Sequence, residues 1–345
     1  MTMASNDGNL LLPPRPEDLI SLDPDFGTRF MLFVDTEEEF DWTAPFTRTG
    51  HSVSALSGMA RGQTYFAAAG IRPIYVTDYP VIDSDHAAAM MGQWVSDRMA
   101  DIGAHLHPWV NPPHVEEVTA ANSYAGYLPK AVEQAKLEAL CQRIAERFGQ
   151  RPVAYRAGRY GVGPNSARLL EDAGFIVDSS VRSRFDYSAQ YGPDFRGFPL
   201  QPYWAGPDRT LIELPLSTAF VGLLKRGGEG LYRASQTVGL FAGALARGGL
   251  LSRVPLTPEG VPVAAAIMAI DALIDEAVPV LNFSFHSPTL EPGHTPYVRN
   301  AEDMNGFYRW WDIILNHLAR RGVNPANLDE FVQSILPNGR ACKAA

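Results

Sequence analysis

Acidic and imidazole side chains are concentrated in two short stretches of this sequence, and both stretches follow apolar segments. FMLFVDTEEEFDW passes from apolar residues into five carboxylates, among them Asp35 and Glu37. DIGAHLH ends with His105 and His107. Two imidazoles and a carboxylate are typical ligands of a catalytic divalent metal ion that keeps an open position for water. Such an ion would also relieve the repulsion among neighbouring carboxylates, which otherwise disfavours their ionisation.

Apolar segments with the length of β-strands alternate with segments of helical period along most of the chain. This order is typical of βαβ crossovers and predicts an α/β fold with a parallel sheet, open or closed into a barrel. The predicted strands are residues 29–35, 71–78, 101–107, 153–160, 175–181, 210–217 and 279–287. The clearest predicted helices are residues 128–149, 165–174, 262–277 and 301–322.

Polar residues stand at the carboxyl ends of the predicted strands, where parallel α/β sheets bind their ligands. Besides the residues already named, these are Arg156, Asp178, Glu213 and His286. Because side chains alternate along a strand, Asp35, Glu37 and Glu39 are expected to share one face. The same rule places His105 and His107 together.

The other carboxylates of the first stretch are expected to have no chemical role. Alternation directs Glu38 away from the face of Asp35 and Glu37. We therefore predict that Glu38 and Asp41 form a solvated rim.

Composition and charge exclude several classes of protein. The chain has 38 acidic and 29 basic residues, a net charge of −9 and no run of Lys or Arg that could follow phosphates, so we expect no nucleic-acid partner. Neither a membrane-spanning segment nor a secretory signal is evident. Cys141 and Cys342 form neither a disulfide framework nor a metal-binding pair. These features predict a cytoplasmic protein.

The chain is expected to form one domain over residues 27–335. An irregular arm, residues 1–26, precedes it, and a tail, residues 336–345, follows it. The Gly-rich stretch 220–260 is longer than a normal connection and is predicted to be an insertion over one face of the domain.

The order of the motifs resembles that of the polysaccharide deacetylase superfamily, the NodB-homology or family 4 carbohydrate esterases. The motifs that carry this resemblance are VDTEEEFDW, DIGAHLHPWVNPP, YRAGRYG, DSSV, ELPLST and NFSFHSP, and they extend over about residues 29–335. The resemblance implies a distorted seven-stranded (β/α) barrel. It also implies removal of N- or O-acyl groups from sugars with a bound divalent metal ion, for which Zn²⁺ is the first candidate.

The resemblance implies roles for the residues of the first two motifs. Asp35 stands in the place of the catalytic base and Glu37 in that of the metal-binding carboxylate. His105 and His107 resemble the two histidine ligands. Because the family usually spaces these histidines by three residues, an alternative is that His107 takes the first ligand position and Asn111 the second.

The later motifs complete the implied site. Arg156 resembles the arginine that holds the base, Asp178 the aspartate that tunes a histidine, and His286 the general acid. A backbone N–H near Tyr160 could stabilise the oxyanion. Asp178 could instead cap a helix, and Glu213 could pair with an arginine in the barrel. The expected substrate contacts are Trp109, Tyr160 and Glu213.

The leading hypothesis is a metal-dependent hydrolase that removes an N-acyl group, such as acetyl, from a sugar or glycan precursor, as in surface-polysaccharide synthesis. One alternative is a hydrolase of the same fold that acts without metal on another C–N bond, in a cyclic amide or a ureide. Another is a non-catalytic glycan-binding protein. The presence of both a base, Asp35, and an acid, His286, favours an enzyme, because a binding protein needs neither.

Overall fold

The computed structural model describes residues 8–41, 44–228, 230–232 and 249–336. The start of the predicted arm, much of the insertion, and the tail beyond residue 336 with Cys342 lie outside the described residues.

In the described part of the chain, seven parallel strands form the body of a nine-stranded sheet, and they correspond one to one to the seven strands predicted from the sequence. They are β1 (Arg29–Thr36), β2 (Ile74–Thr77), β3 (Asp101–Leu106), β4 (Ala154–Ala157), β5 (Val177–Asp178), β7 (Leu211–Glu213) and β10 (Val280–His286). Their spatial order is β10-β1-β2-β3-β4-β5-β7. At the β7 edge, β6 (Tyr203–Ala205) adds an antiparallel strand, and β11 (Asn324–Pro325) pairs with β1.

The sheet curls so that β10 approaches the segment after β7. No strand ladder joins β7 to β10 among the described residues. Instead, the amide of Asn282 donates to Ser217 Oγ at 2.9 Å, and its side-chain Nδ2 donates to Ser179 Oγ at 2.8 Å. These bonds bridge the gap and give the distorted barrel that the sequence predicts.

Eight α-helices connect the strands in the described part of the chain. They are α1 (Leu56–Ala68), α2 (Tyr79–Asp83), α3 (Asp85–Ser96), α4 (Lys130–Phe148), α5 (Ser166–Asp172), α6 (Val263–Asp275), α7 (Ala301–Arg320) and α8 (Leu328–Gln333). The four predicted helices are α4 to α7, with ends within a few residues of those expected. In α7, Phe307, Trp311 and Ile314 are buried at helical spacing. The Phe307 ring packs 5.3 Å from that of Phe285 on β10, which anchors the strand that carries His286.

The described part of the predicted insertion contains most of two antiparallel strands that pair with each other, β8 (Thr218–Val221) and β9 (Ser252–Pro255). The chain then returns to the barrel, where Ser284 N of β10 donates to Leu256 O at 3.1 Å. The residues just after β9 therefore lie against the last barrel strand.

Within the described ranges, none of the helices combines the length and the apolar composition that a bilayer-spanning segment needs. The cytoplasmic location stays a prediction.

Candidate functional site

The carboxyl ends of β1, β3, β4 and β10 open into one cavity of about 250 Å³. Seven of the residues predicted to form the site line it: Asp35, Glu37, His105, His107, Trp109, Tyr160 and His286. They come from segments far apart in the chain, and the barrel brings them together because parallel strands end at the same edge.

Glu37, His105 and His107 form a buried cluster whose donor atoms face one another. Glu37 Oε2 lies 3.5 Å from His105 Nε2 and 3.4 Å from His107 Nε2. These separations exceed the usual hydrogen-bond length. They match the distance of roughly 3.4 Å between two ligands of one tetrahedral metal ion with bonds of about 2.1 Å.

Both histidines use their other ring nitrogen to hold this orientation. His105 Nδ1 donates to Arg156 O at 2.9 Å, and His107 Nδ1 donates to Glu38 Oε2 at 2.8 Å. The Nε2 lone pairs are thus free to face Glu37. Imidazoles that bind metal are typically held by such a contact on the second nitrogen.

The chemistry of the three side chains fits a divalent cation. Glu37 Oε1 is buried and has no hydrogen-bond partner among the described residues, which is costly for a carboxylate unless a cation satisfies it. Burial raises the pKa of Glu37 to about 7 and lowers the pKa of His107 to about 4. Burial also lowers the pKa of His105, so both imidazoles are neutral near pH 7, as ligands must be.

The alternative ligand pair, His107 with Asn111, is not formed. Asn111 is buried, and its Nδ2 donates to Pro112 O at 2.7 Å and to Lys136 O at 2.9 Å. The side chain therefore anchors α4 to the loop after β3 and lies outside the cluster.

The prediction that Glu38 forms a solvated rim is wrong. Only 1% of Glu38 is exposed, and its carboxylate accepts from His107 Nδ1 and, at 2.8 Å, from Trp109 Nε1. Burial, and then the charge of Glu38, raise the pKa of Asp78 well above its usual range, and Asp78 Oδ2 accepts from the backbone amide of Glu38 at 2.7 Å. β1 ends at Thr36, so strand alternation no longer sets the direction of Glu38. Asp41 is exposed, as predicted.

Glu39 does not share the face of Asp35 and Glu37, contrary to expectation. It accepts from Ser52 Oγ at 2.6 Å and from the amide of Ala55, just before α1, and lies 2.8 Å from His294 Nδ1. It fixes the loop between β1 and α1.

Asp35 is held by Arg156, as the resemblance implies. Arg156 Nη1 donates to Asp35 Oδ1 at 2.6 Å, while Arg156 Nε donates to Ser179 O at 2.8 Å. Burial alone would raise the pKa of Asp35, but the Arg156 charge, with His105 and His286, outweighs it and leaves the pKa below its usual value.

His286 faces Asp35 from the end of β10, and its partner is Glu259. Its Nε2 lies 3.9 Å from Asp35 Oδ2, and its Nδ1 donates to Glu259 Oε2 at 2.7 Å. Burial lowers the pKa of His286, but the charge of Glu259, followed by those of Glu37 and Asp35, raises it to a net value of about 10. Sequence reasoning missed Glu259. The only signal was its position at the end of the long insertion.

The roles implied for Asp178 and Glu213 are not supported. Asp178 accepts from Ser180 Oγ at 2.5 Å, and Glu213 accepts from the amide of Val181 at 2.9 Å; neither lines the cavity. Burial raises the pKa of Asp178 to about 6 and that of Glu213 well above its usual range, and the neighbouring charge of Asp178 raises the pKa of Glu213 further. Glu259, not Asp178, holds the histidine.

Trp109 lines the cavity, but it is only 2% exposed. Its ring stacks on that of His107 at 4.3 Å and packs 4.4 Å from that of Phe46. We therefore assign it to the support of His107 and Glu38, and withdraw the expectation that it stacks on a sugar.

The turn after β4 is strained. Arg159 and Tyr160 both have left-handed φ angles, 56° and 60°, although neither is glycine. Such strain persists only where the surroundings impose it, and it clusters at functional sites. Here it places two large side chains in the wall of the cavity.

No family model matches the sequence, and no curated protein matches it either. Solved structures do match. The chain is similar to a Mycobacterium smegmatis protein assigned to the polysaccharide deacetylases, at 17% identity over 92% of this chain and 98% of that chain, with a TM-score of 0.46. It is also similar to PuuE allantoinase, at 14% identity over 92% of this chain and 98% of that one, with a TM-score of 0.46.

A third similar structure is 4-α-glucanotransferase from Thermococcus litoralis, at 12% identity over 90% of this chain and 41% of that chain, with a TM-score of 0.53. Polysaccharide deacetylases and family 4 carbohydrate esterases recur among the matching structures. At these identities the likeness concerns the fold. Membership of the polysaccharide deacetylase superfamily, which the motifs suggest, stays a prediction.

Proposed function

We propose that the protein is a metal-dependent hydrolase that removes an N-acyl group from a sugar or glycan precursor. One observation carries the proposal: the Glu37, His105 and His107 cluster shares a single cavity with the Asp35–Arg156 pair and with His286. A ligand set, a base and an acid are the groups that hydrolysis of an amide requires.

The three clustered side chains would hold a divalent ion, with Zn²⁺ as the first candidate. Such an ion, when bound, supplies Lewis-acid polarisation of the acyl carbonyl and a lower pKa for water. Glu38 and the carbonyl of Arg156 hold the two imidazoles in the orientation that binding needs.

Asp35 takes the proton of the attacking water. Its Oδ1 is held by Arg156, which leaves Oδ2, on the side of His286, to act as the base. The guanidinium fixes the plane of the carboxylate and favours its charged form.

His286 gives a proton to the departing amine. With Nδ1 bound to Glu259, the proton on Nε2 is the one available inside the cavity. The strained turn that contains Tyr160 supplies the backbone N–H expected to face the developing oxyanion.

Acetate release from a panel of N-acetylated sugars and short glycans, with Zn²⁺ supplied, tests this function. We expect release from at least one of them, and a loss of about 10²-fold or more in the Asp35→Asn variant. The matched control is Asp25→Asn, an exposed carboxylate before β1 that does not line the cavity, which should keep wild-type activity. An Asp35→Asn variant as active as the wild type would refute the base, and a panel without any release would refute the function.

The alternative hydrolase, acting without metal on another C–N bond, has less support because it leaves Glu37 Oε1 buried and unsatisfied. Metal analysis of protein purified without chelator separates the two. Well below one equivalent of metal, together with turnover of a ureide that chelators do not affect, would favour the alternative.

A further inference from the structure

A second cavity, also of about 250 Å³, adjoins the first. Arg159, Tyr160 and His286 line both cavities, so the two form one continuous cleft. The walls of the second cavity also include Arg182 and Glu259. None of the steps proposed above uses this space.

Arg182 has a guanidinium with an unsatisfied edge. One Nη donates to Tyr187 Oη at 2.9 Å, and the ring of Phe185 lies 4.1 Å from the guanidinium carbon. Its Nε is fully enclosed yet has no hydrogen-bond partner, and no carboxylate lies within ion-pair distance among the described residues. Aromatic contacts satisfy the face of a guanidinium, but they leave its in-plane N–H groups open.

Arg159 is the second cation in the wall. Its guanidinium carbon lies 4.1 Å from the centre of the Tyr124 ring, and it donates to Ser123 Oγ. The contact to Gln190 Oε1, at 3.5 Å, is at the limit of a hydrogen bond. Within the described ranges this arginine also lacks a carboxylate partner. By contrast, Arg156 is paired with a carboxylate.

The carboxylate in the wall is not available to these arginines. Glu259 accepts from Nδ1 of His286 at 2.7 Å, from the backbone amide of His286 at 3.0 Å and from Thr289 Oγ1 at 2.6 Å. The second cavity therefore presents two guanidinium groups that have no carboxylate partner in the described part of the chain, and a carboxylate that is already satisfied.

We propose that this cavity binds an anionic group of the substrate, a carboxylate or a phosphate, while the acyl group occupies the first cavity. The assignment of the acyl group rests on the proposed function. The planar N–H edge of a guanidinium matches the oxygens of both anions and binds them more strongly than neutral acceptors. The substrate class is then an acylated sugar, or a related acylamino compound, that carries negative charge.

The test compares ligands that differ in charge. Binding of N-acetylglucosamine, N-acetylglucosamine 6-phosphate, N-acetylmuramic acid and inorganic phosphate to the metal-loaded protein is measured by calorimetry. We expect at least one of the two charged sugars to bind more tightly than the neutral one, by ~10-fold or more. The comparison of N-acetylglucosamine 6-phosphate with N-acetylmuramic acid shows whether phosphate or carboxylate is preferred.

The variant that decides the matter is Arg182→Met, and the matched control is Arg253→Met. Arg253 stacks on Phe185 at 3.6 Å, as Arg182 does, but it lines neither cavity. Arg182→Met should remove the preference for charge and leave binding of the neutral sugar unchanged, whereas Arg253→Met should keep both.

Two results would overturn the proposal. One is an Arg182→Met variant that binds the charged ligands, including inorganic phosphate, as tightly as the wild type does. The other is the absence of any binding of the charged ligands to the wild type. Acetate release in the same samples tests the proposed function separately. Tighter binding of the charged sugars without acetate release would support the anion site but not the hydrolase. Acetate release without tighter binding of the charged sugars would support the hydrolase but not the anion site.

Discussion

Glu37 and Glu38 are adjacent in the chain, yet their carboxylates contact opposite nitrogens of one imidazole ring. Glu37 Oε2 lies 3.4 Å from Nε2 of His107, and Glu38 Oε2 lies 2.8 Å from Nδ1. The first contact belongs to the candidate metal cluster, and the second fixes the tautomer and the direction of the ring. The two carboxylates therefore have different roles around the same histidine.

Glu38→Gln should weaken metal binding without removing any candidate ligand. The loss of the charged acceptor at His107 Nδ1 lowers the basicity of the ring. Removal of a hydrogen-bond partner of a metal-binding residue typically lowers metal affinity ~10- to 100-fold. Competition with a chromophoric chelator measures the change. Asp25→Asn, exposed and outside the cavity, serves as the control and should bind metal as the wild type does. Unchanged affinity in Glu38→Gln would show that the contact to His107 is only structural.

Metal should also stabilise the fold. A ligand that binds only the native state at 100 times its Kd adds about 2.7 kcal/mol to the free energy of unfolding. We expect Zn²⁺ to raise the Tm of the wild-type protein by several degrees and to leave the Tm of a His105→Ala variant unchanged. Thermal melts with and without a chelator check this. An equal rise in both proteins would place the stabilising metal elsewhere.

Glu259→Gln should shift the pH dependence of catalysis. The charge of Glu259 is the main contribution that raises the pKa of His286, so its removal lowers that pKa from about 10. The general acid would then lose its proton at a lower pH, and the alkaline limb of kcat/KM should move to lower pH. The control is Glu291→Gln, which removes an exposed carboxylate that contacts Ser57 Oγ. An alkaline limb that stays in place would remove His286 as the acid.

Glu133→Gln should stabilise the protein at alkaline pH only. Burial on α4 raises the pKa of Glu133 from 4.5 to about 7, and Ser166 Oγ is its hydrogen-bond donor. The folded state therefore binds the proton more tightly than the unfolded state does. The resulting stability is fully present below pH 4.5 and is lost as the pH rises through 7, by up to about 3 kcal/mol.

Urea melts of wild-type and Glu133→Gln proteins at pH 5 and pH 8.5 measure this difference. The free energy of unfolding of Glu133→Gln should exceed that of the wild type at pH 8.5, and the difference should be small at pH 5. Glu138→Gln on the same helix is the control, because Glu138 is paired with Arg151 at the surface and its removal should cost less than about 1 kcal/mol. An equal increase in the free energy of unfolding at both pH values would show that the buried charge of Glu133 is not its cause.

The sequence predicted the strands and the residues that end them because both follow from short-range patterns. Apolar runs mark the seven strands, and parallel pairing then requires Asp35, His105 and His286 to meet at one edge. The rule of alternating side chains no longer applies where the strand ends. Beyond Thr36 the backbone turns, so Glu38 was placed in solvent although it lies beneath His107.

Long-range packing explains the other errors. Glu259 precedes His286 by 27 residues and reaches it only because the chain folds back after β9, which no local pattern indicates. Asp178 and Glu213 stand at strand ends as expected, but the register of β5 and β7 pairs them with each other inside the barrel. Periodicity shows which residues lie on a strand. It does not show which of the polar residues at the strand ends point into the cavity.

The position of Glu259 has a consequence for the pKa of His286. The barrel strands and the residues directly after them carry the candidate ligands, the base and the acid, whereas the carboxylate that raises the pKa of the acid comes from the insertion. A change confined to the insertion would therefore alter the pKa of His286 while the candidate metal ligands stay as they are.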